Sequence, residues 1–295
     1  MSKNEPTFYV KKQGKTDFLM MCLYVDDMIY MGSCESLVAE FKSFMIKKFE
    51  MTDLGLLQYF LGLEIKQSLD GIFVSQRKYA TDLLRKLYML GCKIASTPMN
   101  VNEKLISDDG AGLADARCFR RIVDGLNYLS HTRPDIEFSI SVVSRFMHNL
   151  KKHHFGVVKR ILRYIAETTD FGIWYSKTSD FRLFDFTDSD YAGCLDNKKS
   201  TSGYVFSLGS GVISWSSKKQ EIMALSSSEA EYIAATASSC LAVWLKRLLT
   251  DVFQEQAAAT EIFWDNKATI SMIKIWHFIV GQSILTFDTT SYEIW

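Results

Sequence analysis

The period of the apolar positions changes along the chain, and each period predicts a different element. From Phe18 to Met31 an apolar stretch is broken only near its middle, by Asp26-Asp27, which reads as two strands meeting at a hairpin tip. Leu37, Phe41, Phe44 and Lys48-Phe49 then step by three or four residues, as do Tyr79, Leu83, Leu87 and Leu90. These stripes predict helices over 35–48 and 77–90, with Gly91 as the stop of the second and a hairpin at Asp70-Gly71 between them. Residues 92–116 lose the period and gather Ser107, Asp108, Asp109, Gly110 and Gly112, as a loop or domain boundary does.

Residues 117–167 read as three helices. Pro134 starts one of them, Ile136, Ile140, Val143 and Met147 form one stripe, and Phe155, Val158, Leu162 and Ile165 form another. Beyond them the pattern predicts short strands at 171–175, 181–187, 203–208, 211–216, near 222–225 and at 261–264. A long helix at 227–250 and a helix from Ala268 complete a mixed unit, so the fold class is α/β (α+β).

A chain of 295 residues that is 47% hydrophobic can bury one large or two modest cores. The six cysteines show no Cys-x-x-Cys pair, which removes a zinc ligand set and a disulfide framework. The N-terminus is polar and no apolar run approaches the roughly 20 residues of a membrane span, so an intracellular, non-secreted protein without membrane insertion is expected. Net charge is zero, which argues against a nucleic-acid partner until its distribution is considered. Phe138 to Ala166 holds no acidic residue but contains Arg145, Lys151, Lys152, Lys159, Arg160 and Arg163, a local charge of +6. Such a stretch suits phosphate tracking and suits an ordinary solvated helix face.

Three carboxylates stand at places where a metal site can be built. Asp188 ends an alternating strand, Glu231 lies in the first turns of the long helix, and Asp265 closes the strand Ile262-Phe263-Trp264. Carboxylates delivered from two strand ends and a helix start can meet at one sheet edge and bind hard cations. Read singly, each has a plainer role, because Glu favours a helix N-terminus and Asp favours the turn after a strand. Glu229 and Glu231 point roughly 200° apart on a helix, so only one of them can face a shared site. Ser226, Ser227 and Ser228 read as N-cap residues, and His153-His154 as a wet basic patch. Trp215, Trp244 and Trp264 are read as packing residues. Asp26-Asp27 is compatible with a solvated turn and with a cation site, since two adjacent like charges call for compensation.

Leu23-Tyr24-Val25-Asp26-Asp27 resembles the Tyr-x-Asp-Asp hairpin of reverse transcriptases, in the Tyr-Val-Asp-Asp form of copia-type retrotransposon Pol polyproteins. The resemblance continues in order through Tyr59-Phe60-Leu61-Gly62, Thr132-Arg133-Pro134-Asp135, Lys198-Lys199-Ser200-Thr201-Ser202-Gly203-Tyr204, Ser214-Trp215-Ser216-Ser217-Lys218-Lys219-Gln220 and Glu229-Ala230-Glu231-Tyr232, covering about residues 5 to 275. It implies a late-palm remnant of reverse transcriptase over 1–95, a helical thumb or connection segment over 96–170, a ribonuclease H-like five-stranded mixed sheet with flanking helices over 171–275, and a divergent tail over 276–295. By motif it selects Asp188, Glu231 and Asp265 as ribonuclease H carboxylates for two magnesium ions, and Asp26 and Asp27 as the polymerase remnant. The implied partner is an RNA–DNA hybrid, with 145–163 along its phosphates.

Departures from the pattern shape the expectation. Few residues precede Asp26, so a polymerase's first catalytic Asp and fingers are expected to be missing, and synthesis with them. An apolar face left open on 1–95 is expected to associate. Ile275 runs directly into Trp276-His277-Phe278-Ile279, as though a segment bearing a fourth acidic ligand were deleted, with Asp288 as its replacement at most. Weak ribonuclease H activity is therefore expected; the alternatives are a catalytically silent hybrid-binding protein and a decayed element product.

Overall fold

The computed structural model describes residues 4–14, 16–267 and 269–270, and the backbone of Leu285–Asp288. The chain divides into two compact units, Met1–Gln58 with Cys240–Ala258, and Tyr59–Ser239 with Ala259–Trp295.

The first unit is built on an antiparallel sheet of β1 (Phe8–Gln13), β2 (Asp17–Tyr24) and β3 (Asp27–Gly32), in that order. β1 lies in the lead that reads as merely polar; its Phe8-Tyr9-Val10 core is too short to carry a period. α1 (Glu35–Lys48) has the expected bounds but a rotated face. Leu37 is buried and Val38, Phe41 and Met45 are half-buried, whereas Phe44 and Phe49 are exposed. Gly32 explains the rotation, since a Cβ there would lie 2.7 Å from Val38 Cγ2, so the missing side chain lets Val38 seat on the end of β3. The sheet is not left to solvent. Phe253, from the distant Cys240–Ala258 segment, packs on Phe18 with ring centroids 5.6 Å apart, the Lys12 ammonium sits 4.0 Å over the Phe253 ring, and Asn4 donates to Asp251 at 2.8 Å.

In the second unit, α2 (Arg77–Lys86), α3 (Ala116–Leu129), α4 (Pro134–Ser144) and α5 (Lys152–Glu167) share one core around Leu84, Phe119, Leu126, Ile140 and Leu162. α2 stops a turn before Gly91, because Tyr88 already has a left-handed backbone (φ 56°) and the Met89 amide returns to Leu84 O at 2.8 Å. Asp115 caps α3 by accepting from the Arg117 and Cys118 amides at 2.9 and 3.0 Å. Pro134 opens α4 as expected, and the preceding Arg133 is buried. Its guanidinium donates to both Asp135 oxygens at 2.8 and 2.7 Å and to Thr168 O at 2.7 Å, tying the start of α4 to the end of α5.

Two sheets flank these helices. The smaller has the order β4 (Tyr59–Phe60), β5 (Leu63–Gln67), β6 (Gly71–Ser75), β7 (Gly172–Ser176), all antiparallel. Thus the strand near 171–175 does not join the strands that follow it; it pairs with β6.

The larger sheet is five-stranded and mixed, combining β8 (Leu183–Ser189), β9 (Thr201–Leu208), β10 (Gly211–Lys219), β11 (Thr260–Phe263) and β12 (Leu285–Asp288) in the order β10-β9-β8-β11-β12. β8, β9 and β10 are antiparallel, while β11 runs parallel to both β8 and β12. Residues 222–225 form no strand, and the fifth place is taken by β12, from the stretch read as divergent tail. α6 (Ser227–Asp251) follows the predicted helix closely. The predicted helix from Ala268 shows its start at Lys267, Thr269 and Ile270; Trp276 to Ile279, including His277, lies outside the described residues. No helix among the described residues is long and apolar enough to cross a membrane.

Candidate metal centre

Two rungs of equal length place the acidic residues. β8 and β11 are adjacent and parallel with Phe186 opposite Phe263, so Asp188 and Asp265, each two residues further on, stand at the same level, Asp188 near the end of β8 and Asp265 just past β11. α6 lies against β8 through Ser238, whose hydroxyl donates to Asp185. Seven helical residues from Glu231 to Ser238 rise about 10.5 Å, and three strand residues from Asp185 to Asp188 span about 10 Å. Glu231, two turns before Ser238 on the same face of α6, thus reaches the level of Asp188 near the end of β8. Small buried residues, Ala230, Ala234, Ala235 and Ser238, allow the helix to approach this closely.

Ligand oxygens of Asp188, Glu231 and Asp265 lie within 4.8 Å of one another, with Glu231 buried and the two aspartates exposed. Burial, then the charges of Asp188 and Asp265, push Glu231 up to about 7, against an opposing hydrogen bond from the Ser189 amide. Asp188 is also raised, by burial of its carboxyl and by Asp265 and Asp190, while the Ser189 amide, 2.8 Å from Asp188 Oδ1, opposes the shift. A single backbone N–H thus serves two of the three carboxylates. Glu231 Oε2 is buried with no hydrogen-bond donor among the described residues. An uncompensated buried oxygen between two like charges, in an all-oxygen donor set, fits a hard divalent cation such as magnesium.

Local capping fixes the helix that carries Glu231. Ser226 accepts from the Glu229 amide at 3.1 Å and Glu229 Oε2 accepts from the Leu225 amide at 2.7 Å, so Glu229 is spent on the cap and Glu231 faces the cluster. Asn266 accepts from the Thr269 amide at 3.0 Å, and Thr269 Oγ1 donates to Ser228 O at 3.2 Å, which ties the segment after Asp265 to the start of α6. Sequence reading passed over Asp185, Gln220 and Ser189, which surround this centre. Asp185 alone left a signal, as an acid at an interior position of an apolar, alternating strand.

The other candidates stand elsewhere. Asp26 lies in the turn after Val25 (φ 51°) and Asp27 opens β3 opposite Tyr24; both are exposed, and among the described residues no third metal-ligating side chain joins them. Asp288 sits opposite Phe263 in register. In the basic stretch, Arg145 donates to Thr201 Oγ1 at 3.0 Å and Lys151 pairs with Asp108 at 3.0 Å. Arg160 donates to Thr97 at 2.9 Å, and Arg163 holds the carbonyls of Lys93 and Ile94. These four side chains are engaged within the protein, Arg145 at the start of β9 and the other three on loops, while Lys152 and Lys159 are exposed. His153 is held between Glu103 and Asp109, and His154 is fully buried rather than wet. Trp264 is a core residue, Trp215 donates to Ser130 O at 3.2 Å, and Trp244 is exposed.

Residues 1–101 match the family described as reverse transcriptase (RNA-dependent DNA polymerase). The chain is 36% identical over 90% of its length to the retrovirus-related Pol polyprotein from transposon RE2 of Arabidopsis thaliana, and 37% identical over 92% to that from transposon TNT 1-94 of Nicotiana tabacum. It spans 18% and 21% of those two proteins. An uncharacterized mitochondrial protein of Arabidopsis thaliana is 39% identical over 77% of this chain and 94% of its own length. No solved structure matches. The chain belongs to the copia-type retrotransposon Pol polyproteins.

Proposed function

We propose that the Asp188–Glu231–Asp265 centre is a ribonuclease H-type site that hydrolyses the RNA strand of RNA–DNA hybrids with magnesium. The convergence of three carboxylates from two parallel strand ends and a helix start carries this reading. Magnesium bound there, as two ions in an intact site, would supply an acidified water and a counter-charge for the scissile phosphate. The chain's own part is to hold three oxygens on one side of that phosphate and to keep Glu231 Oε2 clear of competing donors. The Ser189 amide orients Asp188 and Glu231 together, and Lys152 and Lys159 are the basic side chains left for the hybrid's phosphates. Asp26 and Asp27 are assigned to the hairpin of a reverse transcriptase on the match over residues 1–101.

A labelled RNA–DNA hybrid incubated with the full chain and magnesium tests the proposal. Cleavage is expected from the native protein and loss of at least about a hundredfold in rate from Asp188→Asn or Asp265→Asn, given the role of each carboxylate in charge stabilisation. Salt-sensitive hybrid binding with no cleavage would instead support a silent binding protein.

A further inference from the structure

We infer that Gln220 is a positioning residue for the carboxylate centre, a role that rests on the reading of that centre as a metal site. Gln220 follows the last residue of β10 and is buried, 6% exposed. Its side-chain amide nitrogen lies 3.2 Å from Ser189 Oγ, 2.8 Å from Ser202 Oγ and 2.9 Å from Ala230 O. Its own backbone amide donates to Ser200 O at 2.8 Å. One side chain therefore joins the end of β8, the start of β9 and the first turn of α6.

The choice of partners gives the assignment its force. Ser189 follows Asp188 in the chain and supplies the amide shared by two carboxylates; Ala230 precedes Glu231. Gln220 thus holds the immediate chain neighbours of both ligands through hydrogen bonds. The amide orientation is fixed by Ala230, because a carbonyl can only accept and so must face the nitrogen. An amide nitrogen has two hydrogens for these three acceptors, so one contact is shared. Its oxygen, Oε1, is buried without a donor among the described residues. The three contacts fix the separation of the chain segments that carry Asp188 and Glu231.

Mn2+ titration of the full chain by electron paramagnetic resonance, paired with amide hydrogen exchange on the metal-free protein, tests the role. Gln220→Met keeps the length and removes the donor. Outer-shell partners of metal ligands typically set affinity by 10–100-fold, so Mn2+ binding about tenfold weaker is expected. The melting temperature should be nearly unchanged, and exchange should rise at Ser189 and the first turn of α6 alone. Ser202→Ala, which deletes a single Gln220 contact, should move the same readouts less, and it decides the matter if Gln220→Met does not fold. Unchanged Mn2+ affinity in the variants, or a uniform loss of exchange protection across the unit, would overturn the role. Native protein that binds no Mn2+ would sink the nuclease reading, while the local exchange pattern would still decide whether Gln220 sets this geometry.

Discussion

Asp185 and Ser238 form a buried pair three residues before Asp188 along β8, and Asp185 carries the larger energetic consequence. Burial pushes it up to about 7 from an ordinary 3.8, although Ser238 and the Val205 amide favour the ionised form. A carboxyl whose folded pKa lies above its unfolded value gives up stability as pH rises from the unfolded value through the folded one, here from about 4 to about 7. Glu231, also near 7 in the folded protein, loses stability over the same interval when no cation is bound. Asp185→Asn, which keeps the shape and cannot ionise, is therefore expected to be more stable than the native chain at pH 8 by on the order of a few kcal/mol, and indistinguishable near pH 4. Urea unfolding at both pH values checks this; equal curves at pH 8 would show that Asp185 ionises without cost. By the same linkage, cation binding must displace the proton of Glu231, so Mn2+ affinity should climb with pH up to about 7 and then level off. At this scale the three ligands were legible, because each stands at an element end beside a motif residue. Asp185 and Gln220 were not, because their partners lie 53 residues away at Ser238 and 31 and 10 residues away at Ser189 and Ala230.

Helix starts decide much at the scale of elements. α5 is capped by a neutral histidine: His154 Nδ1 accepts from the Lys151 amide at 3.1 Å, which leaves Nε2–H to donate to Ile106 O at 2.9 Å. Its ring stacks on Phe146 with centroids 4.1 Å apart. Burial lowers its pKa from 6.5, so the unfolded chain takes up the proton first. Its contribution is complete above pH 6.5 and drains away as pH falls below that value, the opposite of Asp185. His154→Leu should remove this acid-side loss but leave the Lys151 amide and Ile106 carbonyl unmet, costing about 1–3 kcal/mol at pH 8. Melting temperatures of both proteins at pH 5 and pH 8 separate the two effects. Periodicity found most helices because it records which positions are apolar. It missed the phase of α1, where a glycine on a neighbouring strand rotates the buried face, and it missed the end of α2, where a tyrosine takes the left-handed turn expected of Gly91.

For the whole molecule, strand partnership is the quantity that local pattern carries least well. β7 and β12 are ordinary short runs whose partners, β6 and β11, are set by where the chain returns, so one was expected in another sheet and the other in no sheet. The same holds for the segment Cys240–Ala258, which is continuous with the helix bearing Glu231 yet completes the unit of β1, β2, β3 and α1. Two separate cores on one chain predict two unfolding steps. The first unit relies on a small sheet in which Leu19 and Met20 are the buried strand residues, with Phe253 packed on Phe18 from outside the local sequence. The second has the large core around Leu126 and Ile140. Phe253→Ala removes a half-buried aromatic and its contact with the Lys12 ammonium, at a cost of about 1–3 kcal/mol, less than for a fully buried ring. All of that loss should fall on the first unit. In a urea titration followed by hydrogen exchange, the variant should bring forward the opening of β1, β2 and β3 and leave the protection of β8 and α5 where it was. A single transition that shifts as a whole would mean that the two cores unfold as one, with α6 transmitting the loss between them.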